Sequence, residues 1–117
     1  EYGVEFKSVS GLDASIRYSA VEAGEVDVID GYATDALLVK TGLIKLEDDL
    51  NFFPPYYSVN FTQQSTIDKY PELKEVIAKL DGLIDEDTMA KLNKQVDIDG
   101  KDASVVAHEF LEEKGLV

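Results

Sequence analysis

The sequence predicts an α/β fold in which a short parallel sheet is flanked by helices and the C-terminal half is helical. Two observations carry this. Residues 1–46 alternate short apolar runs with helix-like segments, the order that builds a sheet covered by helices. From Pro71 onward, apolar residues recur at helical spacing on one stripe after another. With 117 residues and 44% hydrophobic content, the chain has the material for a core of its own.

Val4 to Val9 alternates apolar and polar residues imperfectly and reads as a strand. Asp13 offers an N-cap for a helix that carries Ile16, Ala20 and Ala23 and is closed by Gly24. Val26-Asp27-Val28-Ile29-Asp30 follows as a second strand, an apolar run of the length of a buried parallel strand. Ala33 to Lys40 reads as a short helix ended by Gly42, and Leu43 to Leu46 as a third strand. From Glu47 to Gln64 the character changes to an acidic patch, the turn Phe53-Pro54-Pro55-Tyr56, and a strand over Tyr57 to Thr62.

Three helices complete the reading. Pro71 opens the first, where a missing N–H costs nothing, and Leu73, Val76, Ile77 and Leu80 share its apolar stripe. Asp85 caps the second, which presents Met89, Leu92 and Val96. The third starts near Asp102, presents Ala103, Val106, Ala107 and Phe110, and stops at Gly115.

A net charge of −13 argues against nucleic acid or an anionic membrane surface as partner, since both would repel the chain. It suits a ligand that is neutral overall or cationic. Without cysteine there is no disulfide framework and no thiolate metal site. No apolar stretch approaches the roughly 20 residues of a membrane span, and Glu1-Tyr2-Gly3-Val4 shows neither a basic nor an apolar leader region.

Two aromatic residues stand apart from the helical stripes. Tyr32 follows the strand that ends at Asp30-Gly31, and ligands of parallel α/β sheets gather at carboxyl ends of strands. Tyr56 sits on the Pro54-Pro55 turn, whose fixed φ angles leave the ring little freedom to lose on binding. A trimethylammonium group has no N–H to donate, so a box of aromatic faces is the device left to recognise it, at roughly 0.5–2 kcal/mol per face. The alternative is that Tyr32 is a half-exposed strand-end residue and Tyr56 packs on its own turn.

The segment Gly24-Glu25-Val26-Asp27-Val28-Ile29-Asp30-Gly31-Tyr32-Ala33-Thr34-Asp35 resembles a stretch found in the binding proteins of ABC transporters for glycine betaine, choline and carnitine. Asp48-Asp49 with Phe53-Pro54-Pro55-Tyr56 is similar to a second element of that family. Thr66 to Leu73, Asn93 to Asp97 and Val106 to Leu111 resemble its closing segments, so the likeness runs over essentially the whole chain. It implies part of a type II periplasmic-binding-protein fold, with residues 1–46 in the second lobe and 47–117 forming the lobe crossover and the C-terminal part of the first. It also implies an aromatic cage in which Tyr32 and Tyr56 supply two of four walls, the others lying upstream of Glu1. Gly31 stands where the family often has Ala, and Tyr57 where a small or polar residue is commoner, so Tyr57 either joins the cage or faces the core.

The function implied is extracytoplasmic capture of a small quaternary-ammonium ligand for permease subunits. The parent protein would then be membrane-associated, lipid-anchored or fused to its permease. No cofactor, metal or catalytic residue is expected. Asp30 and Asp35 bracket Tyr32, but no nucleophile or oxyanion motif accompanies them, and Asp35 is expected to cap the next helix or bond the loop before it. Asp97 to Asp102 fails as a calcium loop, because Lys101 takes the fifth position and Asp102 the place of the required glycine. His108 reads as a surface residue, and Arg17 as a surface partner of Glu22 or Asp13. A competing reading makes the chain a non-binding, oligomerising interaction module that buries an exposed sheet edge against a second copy as a homodimer.

Overall fold

The computed structural model describes residues 2–117 and contains six helices: α1 Arg17–Glu22, α2 Ala36–Thr41, α3 Gln64–Lys69, α4 Leu73–Ala78, α5 Glu86–Asp97 and α6 Ala103–Glu113. The two long ones follow their sequence signals closely. The Asp85 carboxylate accepts the Thr88 N–H at 2.7 Å, and Glu86 and Asp87 place negative charge on the first turn of α5 while Lys94 sits on its last. The Asp102 carboxylate accepts the Ser104 N–H at 2.8 Å at the start of α6, and Gly115, at φ +69°, lets the chain leave the helix in a left-handed turn.

Shorter helices depend on their neighbours, since six residues are too few to be helical alone. α1 begins after a turn in which the Asp13 carbonyl, not its side chain, accepts the Ile16 and Arg17 N–H groups. α2 ends at Gly42, in the left-handed region at φ +68°. Tyr70, at φ −132° and ψ 71°, has left the helical region, as a residue before proline prefers, so α3 ends there and α4 starts beyond Pro71. α3 had no counterpart in the reading from apolar periodicity. Val76, expected on the α4 stripe, is exposed.

The core is small. α2 packs on α5, α1 on α2, and α5 on α6. Tyr18 and Ala20 of α1, Ala36 of α2, Ala90 of α5, and Val106 and Phe110 of α6 are the buried apolar residues. Alanine at Ala36 and Ala90 permits close helix approach.

The parallel sheet expected from the sequence is absent among the described residues. Residues 4–9, 26–30, 43–46 and 57–62 run as irregular chain, with no ladder between any two of them. The apolar patterns there are genuine, but a strand's N–H and C=O groups need a neighbouring strand, which none of these segments supplies to another. Their side chains stand in solvent: Val9 is 86% exposed, Ile44 87% and Phe61 92%.

Dimensions agree with an open shape. The radius of gyration is 18.4 Å, against about 13 Å for a compact domain of this size. The accessible surface of 9754 Å² exceeds by about 3,400 Å² the roughly 6,300 Å² of a compact monomer of equal mass. That excess is the area of a large permanent interface.

Two outcomes follow for stability. Phe110→Ala should destabilise the α5–α6 unit by about 3 kcal/mol, read by urea unfolding followed by circular dichroism. Hydrogen bonds from Thr88 and Ser104 hold the Asp85 and Asp102 carboxyls below their usual range. A depressed folded-state pKa gives stability that is present above the unfolded value and lost as pH falls through the folded one. Helicity of α5 and α6 should therefore weaken below about pH 4. An Asp85→Asn/Asp102→Asn variant, which keeps capping oxygens that do not titrate, should flatten that loss.

Candidate functional site

Tyr32 lies on the loop between residue 30 and α2, and this loop is tied down by one carboxylate. Oδ2 of Asp35 accepts the Tyr32 backbone N–H at 3.1 Å, the Tyr18 hydroxyl at 2.7 Å and an Arg17 guanidinium N–H at 3.1 Å. The Asp35 N–H in turn donates to the Tyr32 carbonyl at 3.0 Å, closing a turn. Arg17 also reaches Asp30 at 3.2 Å, and its side chain is only 12% exposed. The guanidinium is thus a half-buried bridge between both ends of the loop, not the surface partner of Glu22 or Asp13 that helix spacing suggested. Its Nε is buried without a partner. From the other side, the Asn93 side-chain amide of α5 donates to the Thr34 carbonyl at 2.9 Å.

Gly31 has a steric reason to be glycine. A Cβ there would lie 3.1 Å from the Tyr18 hydroxyl oxygen and 3.6 Å from Asp35 Oδ2. Burial first, and then the bond to the Asp35 carboxylate, push the Tyr18 phenol up to about 12.

Tyr56 lies beyond a second loop tied by a second carboxylate. Asp48 accepts the Phe52 N–H at 2.9 Å and the Phe53 N–H at 2.8 Å. The Tyr2 hydroxyl donates to the same carboxylate and accepts the Leu50 N–H at 3.0 Å. Asn51 takes a positive φ of 51° inside the loop, a conformation asparagine tolerates. The Tyr2 bond, followed by the Phe52 and Phe53 N–H groups, holds the Asp48 carboxyl below the ordinary range.

These loops bring Tyr32 and Tyr56 together. Their ring centroids are 6.4 Å apart and their planes 27° from parallel. A methyl group in face contact with both rings needs about 7–8 Å between the planes, twice the carbon–carbon contact distance. The rings therefore stand as two adjoining faces, set too close to hold a methyl group between them. Tyr32 is 63% exposed and Tyr56 90%, and neither lines the two clefts near α2, of about 190 and 430 Å³. Tyr57 is exposed and faces no core.

The remaining candidates are engaged locally. Asp99 is held by Lys94 at 2.8 Å, Lys101 reaches Glu109 at 3.1 Å, and exposed His108 lies 3.5 Å from Glu112 on the next turn. Asp35 stands at the N-cap position of α2 but makes no side-chain cap there; its bonds go back to the loop.

Residues 1–113 match the family model of the substrate-binding domain of the ABC-type glycine betaine transport system. The chain belongs to this family. A solved structure of a glycine betaine/carnitine/choline ABC transporter superposes with a TM-score of 0.91 over 99% of this chain and 43% of its own, at 37% identity. The carnitine transport binding protein of Listeria monocytogenes is 39% identical over 95% of this chain. The ergothioneine transport permease/ergothioneine binding protein of Helicobacter pylori is 36% identical over 98% of it. The chain spans 36% and 21% of the lengths of these two relatives, so this substrate-binding-domain sequence corresponds to a portion of each.

Sequence reasoning singled out both tyrosines and offered, as one of two roles for Asp35, a bond to the loop before α2, which the structure shows; it missed Asp48 as the second anchor. Asp35 lies three residues after Tyr32, the spacing at which a capping-box acid reaches back to a backbone N–H. For Tyr18, the raised phenol pKa makes the sign plain. The folded state favours the protonated phenol, so its contribution is full below about pH 10 and declines as pH rises towards 12. Spectrophotometric titration at high pH should show a late-ionising phenol that is lost in Tyr18→Phe.

Proposed function

We propose that this chain is part of an extracytoplasmic solute-binding protein of an ABC importer, and that Tyr32 and Tyr56 supply two walls of an aromatic cage for a quaternary-ammonium solute. The observation that carries this reading is the ring pair itself, delivered by two separately anchored loops and left open on one side. Family membership sets the context. Relatives and neighbours are named for glycine betaine, carnitine, choline and ergothioneine, which share a permanently charged trimethylammonium group. Such a group has no proton to donate, so it is recognised through π faces, helped here by a net charge of −13.

Function on this reading is capture and release, with no bond made or broken. Residues 1–46 belong to the second lobe, and residues 47–117 form the crossover and the C-terminal part of the first, with the α2–α5 packing as their contact within this chain. The exposed apolar segments at 4–9, 43–46 and 57–62 pair with strands supplied from outside the chain, and closure of the lobes adds the remaining cage walls. Permease subunits are the protein partners. A relative whose name combines permease and binding protein supports a parent held at the membrane by fusion; a lipid anchor serves the same end.

Calorimetric titration of the full-length binding protein with choline, glycine betaine, carnitine and tetramethylammonium tests the reading. Tyr32→Ala and Tyr56→Ala should each raise Kd by about 2- to 30-fold, the equivalent of one cation–π face. The corresponding Tyr→Phe changes, which keep the ring, should stay within about threefold. The isolated chain should show no micromolar binding. Wild-type affinity in both alanine variants would remove the tyrosines from the site.

A further inference from the structure

The two loops that carry the aromatic pair are held by the same device, built twice from unrelated parts of the chain. In each, one aspartate accepts backbone N–H bonds from the loop, once at Asp35 and twice at Asp48, and a tyrosine hydroxyl from a distant segment. Asp35 takes the Tyr32 N–H and the Tyr18 hydroxyl; Asp48 takes the Phe52 and Phe53 N–H groups and the Tyr2 hydroxyl. We infer that Asp35 with Tyr18, and Asp48 with Tyr2, are positioning residues that fix the Tyr32 and Tyr56 rings before ligand arrives. This rests on the reading of those rings as ligand walls.

The geometry favours positioning over a purely structural role. The bonds to Asp35 converge on the backbone N–H of Tyr32 itself, so they set the origin of its side chain. Those to Asp48 converge on Phe52 and Phe53, immediately before the rigid Pro54-Pro55 step that leads to Tyr56. Both rings are otherwise exposed and contact each other at 6.4 Å, so little packing orients them. Fixing such rings in advance lowers the ordering cost of binding. The ligand would not touch either aspartate on this account, and an ionised carboxylate that accepts backbone N–H and tyrosine hydroxyl bonds together is a stiff anchor. Gly31 is part of the arrangement, because a Cβ there would press on the hydroxyl that Asp35 accepts.

A double-mutant cycle in the full-length binding protein, titrated with glycine betaine, separates the possibilities. Asp35→Ala should raise Kd about tenfold in the wild-type background and less than about twofold in Tyr32→Ala, because the anchor acts through that ring. Asp48→Ala should behave likewise against Tyr56→Ala. Asp35→Asn, which keeps an oxygen for the Tyr32 N–H, should recover part of the loss, and Tyr18→Phe, which keeps the buried ring, should reproduce part of it without unfolding the chain. In the ligand-free protein, 19F NMR of 3-fluorotyrosine at position 32 should give one narrow line that broadens or splits in Asp35→Ala. Equal costs in both backgrounds, or an unchanged 19F line, overturn the positioning role. Wild-type affinity in Tyr32→Ala overturns instead the reading of the ring as a ligand wall.

Discussion

One oxygen, Oδ2 of Asp35, accepts hydrogen bonds from helix α1 twice, through Arg17 and Tyr18, and from the loop before α2 once, through Tyr32. Much of the N-terminal half is organised around it. Tyr18 can be buried in the core because its hydroxyl has a partner, and Arg17 can leave solvent because two carboxylates neutralise it. The Tyr32 loop is pinned between α1 and the Asn93 amide of α5. Remove the carboxylate, and a buried phenol and a loop N–H lose their partner together while the half-buried Arg17 keeps only Asp30, which is why bonds that are individually modest act as a unit.

The rest of the molecule is open and largely exposed. Among the described residues four of the six helices, α1 to α4, have only six residues each, and α5 and α6 are the long ones. Apolar segments that would be strands stand in solvent, and the accessible area is that of an incomplete fold. The same openness explains why two well-anchored tyrosines sit on an exposed wall and not in a pocket.

Helix caps and stops were legible because they are local: Asp85, Asp102, Gly42 and Gly115 act through bonds or φ angles within a few residues. Tyr32 and Tyr56 stood out because one follows a strand-like run and the other a proline turn, and the structure brings their ring centroids to 6.4 Å. The sheet was not, since the alternation over residues 4–9 and the apolar run at 26–30 record a preference for burial, and only a partner strand converts that into a ladder. Asp48 and Tyr2 meet across 46 residues, a pairing no spacing rule indicates. Arg17 misled for a related reason: neighbours on its own helix looked sufficient, while its true partners, Asp30 and Asp35, come from the next loop.

The central claim is that both rings face the ammonium group of one bound solute. Intermolecular nuclear Overhauser effects between the N-methyl protons of bound glycine betaine and selectively labelled Tyr32 and Tyr56 rings, in the full-length protein, test it directly. The account predicts cross-peaks from the methyl protons to both rings. A saturated complex in which neither ring shows one would contradict it.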